Sequence, residues 1–132
     1  MIYGMLRLRQ RVVLGAGILA ALMVFKAPAS AQDFDSAVKT CAEQTGPQAI
    51  EYCSRVIVIL RDPKFASDNF KKLLTSVYER RLRLYAIEKD LPNFMQLACR
   101  DTRSLLELDA YLQPARLAQL RETEKICQQN GS

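Results

Sequence analysis

Beyond residue 31, every proline sits at a break: Gly46-Pro47, Asp62-Pro63, Leu91-Pro92 and Gln113-Pro114. Proline suits the first turn of a helix, is excluded from its interior, and turns the residue before it away from helix. Between the breaks, apolar residues recur at three- and four-residue spacing, the period of a helix face. The prolines thus cut the chain into short helices, and short links make successive helices antiparallel neighbours. The expected fold is all-α, about five helices as stacked antiparallel hairpins.

The first segment, about 33–44, sets Phe34, Val38, Cys41 and Ala42 on one face, with Asp33, Asp35 and Ser36 suited to its N-terminal end. Gly46 ends it and Pro47 starts the second, about 47–60, whose stripe is Ala49, Ile50, Cys53, Val56, Ile57 and Leu60. "VIVIL" alone would also suit a buried strand, but nothing else in the chain offers a strand partner. Val58 and Ile59 lie off the stripe and are expected against another helix. After the turn at Asp62-Pro63, the third segment, about 67–88, has Phe70, Leu73, Leu74, Val77, Tyr78, Leu84 and Tyr85 on a face. A fourth runs from about Pro92 to 109, with Phe94, Met95, Ala98, Thr102, Leu105 and Leu108 or Leu106 inward. The fifth, about 114–128, has the weakest pattern, Leu117, Leu120 and Cys127, with Ile126 pointing elsewhere.

Residues 1–31 are expected to stand outside this fold. Arg7, Arg9 and Arg11 precede the apolar run "VVLGAGILAALMVF", and Ala29-Ser30-Ala31 follows. Basic start, apolar middle and a small-residue site make a secretory signal, too short for a permanent span of about 20 residues. Cleavage is expected after Ala31, leaving 32–132 as a single helical domain. An uncleaved anchor is the alternative, since Lys26 lies close to the site.

Export changes the charge reading. The chain has 19 Lys plus Arg against 14 Asp plus Glu, and Arg7, Arg9, Arg11 and Lys26 leave with the signal, so 15 basic residues face 14 acidic ones. The basicity is an export feature, which removes nucleic acid as an expected partner. The membrane is met only during export. The expected location is the periplasm of a Gram-negative cell or the secreted space.

All four cysteines, Cys41, Cys53, Cys99 and Cys127, lie beyond the signal, and an even number in an exported chain points to disulfides. Four cysteines allow three connectivities, and helix geometry chooses among them. Cys41 and Cys53 come to nearly the same height on either side of the Gly46-Pro47 turn, and Cys99 and Cys127 flank the later turn at comparable distances. The expected pairs are Cys41–Cys53 and Cys99–Cys127, each contributing about 2–4 kcal/mol.

Other cysteine chemistry lacks its spacing. There is no C-x-x-C for redox work and no close pairs for zinc. The chain has no histidine, the commonest general base, and no glycine-rich phosphate loop, so no cofactor, metal or catalytic residue is expected. No acid is read as embedded in an apolar pattern that would raise its pKa for general-acid work.

Arg81 stands in the middle of the third segment's apolar face, where leucine would be ordinary. A buried arginine is paired or snorkels its head to water. The plain reading pairs it with a carboxylate at the core edge; the sharper one aims it at an anionic group of a partner. Lys71, Lys72, Arg80 and Arg83, with Tyr78 and Tyr85 nearby, complete a candidate partner-binding surface, against the simpler view of a solvated face.

"AIEYCSRVI" with its following "DP" turn resembles the second helix of a tetratricopeptide-type repeat, with Ala49 at the close-packing position. "YERRLRLYAIEKDLPNF" resembles a first repeat helix and its turn, with Tyr78 and Tyr85 in the two aromatic positions, and "LLELDA" the end of the next helix. The likeness covers about residues 46–110. It departs at Leu82, where a small residue is usual, at Lys89-Asp90, where the turn usually holds glycine, and in the extra residues before Ala98. The resemblance implies a helical hairpin stack that binds proteins or peptides, and carries over no catalytic residue.

The expected function is thus an extracytoplasmic, non-catalytic interaction module or complex subunit, its partner another extracytoplasmic protein or peptide. The alternatives are a periplasmic holdase that opens to expose apolar surface, responding to acid through its carboxylates, and a lytic enzyme using a lone carboxylate.

Overall fold

The computed structural model describes residues 29–88 and 90–131, with side chains from Asp33 onward. The export signal expected over residues 1–31 lies almost wholly outside them. Residues 36–132 group as one compact unit, which holds the core. The described residues form five α-helices, α1 (Ala29–Glu43), α2 (Pro47–Leu60), α3 (Asp68–Ile87), α4 (Phe94–Glu107) and α5 (Pro114–Gln129), with single 3-10 turns at Pro63–Phe65 and Asp109–Tyr111. No described helix is long and apolar enough to cross a membrane.

The breaks work as proline chemistry dictates. Gly46 caps α2 with φ 88°, a left-handed value that suits glycine, and Pro47 follows as the first helical residue. Asp62 is extended before Pro63, and its carboxylate accepts a hydrogen bond from the Lys64 N–H at 3.1 Å. Pro114 opens α5 in the same way as Pro47 opens α2. Pro92 behaves differently. It falls in the turn, and α4 starts two residues later behind Asn93, which adopts left-handed φ 62° and so ends the turn. The expected start near Pro92 is corrected to Phe94.

Consecutive helices stack: α2 on α3, α3 on α4, α4 on α5. The core is Ala49, Cys53, Val56, Ile57 and Leu60 of α2, Leu74, Val77, Tyr78, Leu84 and Tyr85 of α3, Leu105 of α4 and Leu120 of α5. The two disulfides are Cys41–Cys53 and Cys99–Cys127, and all four cysteines are buried. Their oxidised state suits an oxidising, extracytoplasmic environment.

Three packing expectations are corrected. On α1, Ala37 and Cys41 are buried while Ala42 is exposed, so the inward face is centred one turn before Cys41. Met95 is exposed, because α4 has only just begun there and its first buried residue is Cys99. Val58 is 74% and Ile59 39% exposed, since the stripe facing α3 already carries Val56, Ile57 and Leu60 and no described helix covers the opposite side.

Candidate functional site: an internal charge node and the groove beside it

Arg81 points into the helix stack, toward α4. Its Nε donates to Asp101 Oδ2 at 2.7 Å, and Nη2 donates to Asp101 Oδ1 in a two-pronged pair. Its remaining nitrogen, Nη1, donates to Ser54 Oγ at 3.0 Å, and Ser54 in turn donates to the Ile50 carbonyl at 2.8 Å. One guanidinium therefore ties α2, α3 and α4 together. The rings of Tyr78 and Tyr85, one turn before and one turn after it on α3, flank the guanidinium carbon at 5.6 and 5.7 Å.

The electrostatics follow from burial. Asp101 is 0% exposed. Burial pushes its carboxyl above its ordinary value, opposed by the hydrogen bond and charge of Arg81 and by Arg100. For Arg81, burial acts to lower the pKa, but the hydrogen bond and charge of Asp101, helped by the tyrosines, outweigh it and hold the guanidinium above its ordinary value. Burial likewise raises the Tyr85 hydroxyl. Both carboxylate oxygens of Asp101 are held by Arg81 and neither meets solvent, so this acid has no route to hand a proton to a substrate. Its position corrects the expectation that no acid lies within an apolar pattern. Leu97, Ala98, Asp101, Leu105 and Leu108 recur at helical spacing, and Asp101 stands in the middle of that stripe.

The candidate surface of seven residues resolves into separate roles. Arg81 is the core of the node, and Tyr78 and Tyr85 are buried against it, so these three are not an outer face. Arg80 is a clamp. Its Nε donates to the Cys41 carbonyl at 2.9 Å and its Nη2 to the Gln44 carbonyl at 2.6 Å. A cation on the last carbonyls of α1 satisfies groups the helix leaves open and complements the negative end of its dipole. Arg83 and Lys72 are exposed, and Lys71 is half-buried.

Lys71 lies in a groove of about 200 Å³ lined by Arg61, Lys71, Leu74, Tyr78, Ser104, Glu107 and Leu108, where the end of α2, the start of α3 and the end of α4 meet. Arg61, Lys71 and Glu107 take no part in the ion pairs formed among the described residues. Arg83 lines a second, wider cavity of about 360 Å³ with Thr75, Ser76, Glu79, Tyr111 and Arg116. Here Arg83 takes part in none of the ion pairs formed among the described residues, while Arg116 grips Glu79 with Nη2 at 2.8 Å and Nε at 2.9 Å, and the Tyr111 hydroxyl donates to Asp68 at 2.7 Å, which raises its pKa.

Sequence reasoning did not single out Arg61, Ser54 or Asp101. Asp101 and Ser54 carry a periodicity signal; Arg61 and Glu107 are brought to one groove only by the packing of three helices. Among the described residues no group of three or more His, Cys, Asp or Glu side chains comes together to hold a metal. No protein-family model, curated protein or solved structure matches this chain.

Proposed function

We propose that the protein is an exported, non-catalytic interaction module or complex subunit whose stacked hairpins engage another extracytoplasmic protein or peptide. The supporting observation is the division of charge: Arg81, Asp101 and Arg80 are committed to holding helices together, while the cations of the α2–α3–α4 groove have no ion-pair partner among the described residues. Grooves between stacked helices accept extended peptides or a partner's helix. The repeat-like look of residues 46–110 belongs to the same proposal, the hairpins acting as one and a half degenerate units. Such short stacks lack the roughly three units that repeats ordinarily need, and the two disulfides offset that shortage. Export through the N-terminal signal, with cleavage after Ala31 and residence in the periplasm or beyond, completes the reading and agrees with the disulfide-bonded state.

A holdase is the second reading, favoured by the exposed Val58 and Ile59 on α2, which would need no opening of the fold to be presented. Affinity capture of the exported protein from an oxidising periplasmic extract separates the two. One or two partners retained at near-stoichiometric yield support the module. A broad set of unrelated unfolded chains supports the holdase, and retention of nothing contradicts both.

A further inference from the structure

Tyr78 faces two ways. Its ring lies beside the buried Arg81 guanidinium, yet the residue also lines the groove that holds Arg61 and Lys71. It is only 3% exposed, and its hydroxyl forms no hydrogen bond among the described residues while not being sealed from solvent. A hydroxyl that meets solvent and has no partner in the fold can exchange its water for a group from outside the chain. Here Tyr78 shares one small groove with Arg61, Lys71 and Ser104, lined on its apolar side by Leu74 and Leu108.

We propose that this groove receives the carboxylate side chain of a glutamate or aspartate presented by the partner protein. The proposal rests on the interaction-module reading and gives that module its recognition chemistry. Arg61 and Lys71 supply the charge, the Tyr78 hydroxyl donates the orienting hydrogen bond, and Leu74 and Leu108 pack the aliphatic stem. Glu107 decides between a single carboxylate and a dianion. Two cations and one acid leave one net positive charge in the groove, which suits a monoanion, and Glu107 can accept a backbone N–H of the incoming chain. Size decides between a side chain and a whole small molecule. Sites that enclose a small-molecule ligand run to about 300–1,000 Å³, and a groove of about 200 Å³ takes a side chain whose backbone stays outside.

The test is a titration of the exported, disulfide-bonded protein, followed by amide chemical shifts. The probes are acetyl-Leu-Glu-Leu-amide, its glutamine counterpart, and free glutarate. The glutamate peptide should move the signals of Lys71, Tyr78 and Ser104 with Kd below about 1 mM, and the glutamine peptide should bind at least about tenfold more weakly. Lys71→Gln and Tyr78→Phe should each weaken the glutamate peptide by about tenfold, the loss of one hydrogen bond or charge to an ionised group, with unchanged thermal unfolding. Equal binding of the glutamine peptide, or no shifts at about 1 mM glutamate peptide, would overturn the assignment. Glutarate binding as tightly as the peptide would overturn its source, making the site one for a free dicarboxylate. A captured partner retained equally by wild type, Lys71→Gln and Tyr78→Phe would leave the module standing and remove the groove from it.

Discussion

Arg81 and Lys71 sit ten residues apart on one helix, and they meet opposite fates. Arg81 is largely buried, with Asp101 on two of its nitrogens, Ser54 on the third and a tyrosine ring on either side. Lys71 is half-buried in a groove with another cation and an acid and pairs with neither. The contrast teaches where a small helical domain can place charge. Inside, a charge must have all its hydrogen bonds made by the fold, because water cannot reach it. At a groove rim the same charge can stay unpaired, because water serves until a partner replaces it. Tyr78 stands at the boundary, its ring beside the inner node and the residue lining the groove as well.

Stripping the inner node should cost the most stability. Asp101→Ala leaves Arg81 buried and uncompensated, and should cost about 3–5 kcal/mol in urea unfolding. Replacing both members, Arg81→Met with Asp101→Leu, should recover most of that loss, since apolar groups of similar size need no partners. If the double variant is no more stable than Asp101→Ala, the pair is needed for something beyond its own satisfaction. Next in size are the disulfides. Cys99→Ser with Cys127→Ser should cost about 2–4 kcal/mol, and more than the Cys41, Cys53 double replacement, because 28 residues rather than 12 separate the joined positions. Equal losses measured by thermal unfolding would show that the loop left free in the unfolded chain does not set the effect.

Much of this fold is legible in the chain's own residues. The breaks at Pro47, Pro63 and Pro114 are local chemistry, so the helices they delimit can be read directly. The disulfide pairs follow because a hairpin fixes which cysteines share a height. Arg81 stands out because a cation in an apolar stripe demands a partner, and the plain reading of a paired arginine is the one the fold adopts. The same test applied to Leu97–Leu108 finds Asp101, set among leucines at helical spacing. Arg80 is not legible in this way. Its role depends on where the end of α1 comes to lie against α3, a tertiary fact with no periodicity. The groove likewise exists only where three helix ends converge. Val58 and Ile59 mislead because an apolar residue off a buried stripe is as compatible with the surface as with a second contact.

Smaller effects sharpen the boundary between the two regions. Arg80→Ala should cost about 1 kcal/mol, with amide exchange accelerated in residues 37–44 and little changed in α4. Acceleration spread evenly over the chain would mean that Arg80 is part of the inner node instead of a clamp on α1. Acidity offers a subtler probe. The folded-state pKa of Asp101 lies above its unfolded value, so its contribution is fully present below that unfolded value and is lost as pH rises through the folded one. Urea midpoints of wild type and Asp101→Asn at pH 7 and pH 4 should therefore diverge in favour of wild type on acidification. A shrinking difference would mean that acid opens the node, as an acid-responsive holdase would need. Smallest of all, Lys71→Gln and Tyr78→Phe should change stability by less than about 0.5 kcal/mol, the mark of groups the fold does not rely on.

The most direct measurement is a pair of double-mutant cycles by urea unfolding, one on Arg81 and Asp101 inside the stack, the other on Lys71 and Glu107 in the groove. Coupling of contacting buried groups reaches about 3 kcal/mol, whereas groups without a shared interaction add within about 0.5 kcal/mol. Coupling near the upper figure is expected for the inner pair and near zero for the groove pair. Near-zero coupling between Arg81 and Asp101, or a groove coupling as large as theirs, would contradict the division of charge between fold and partner.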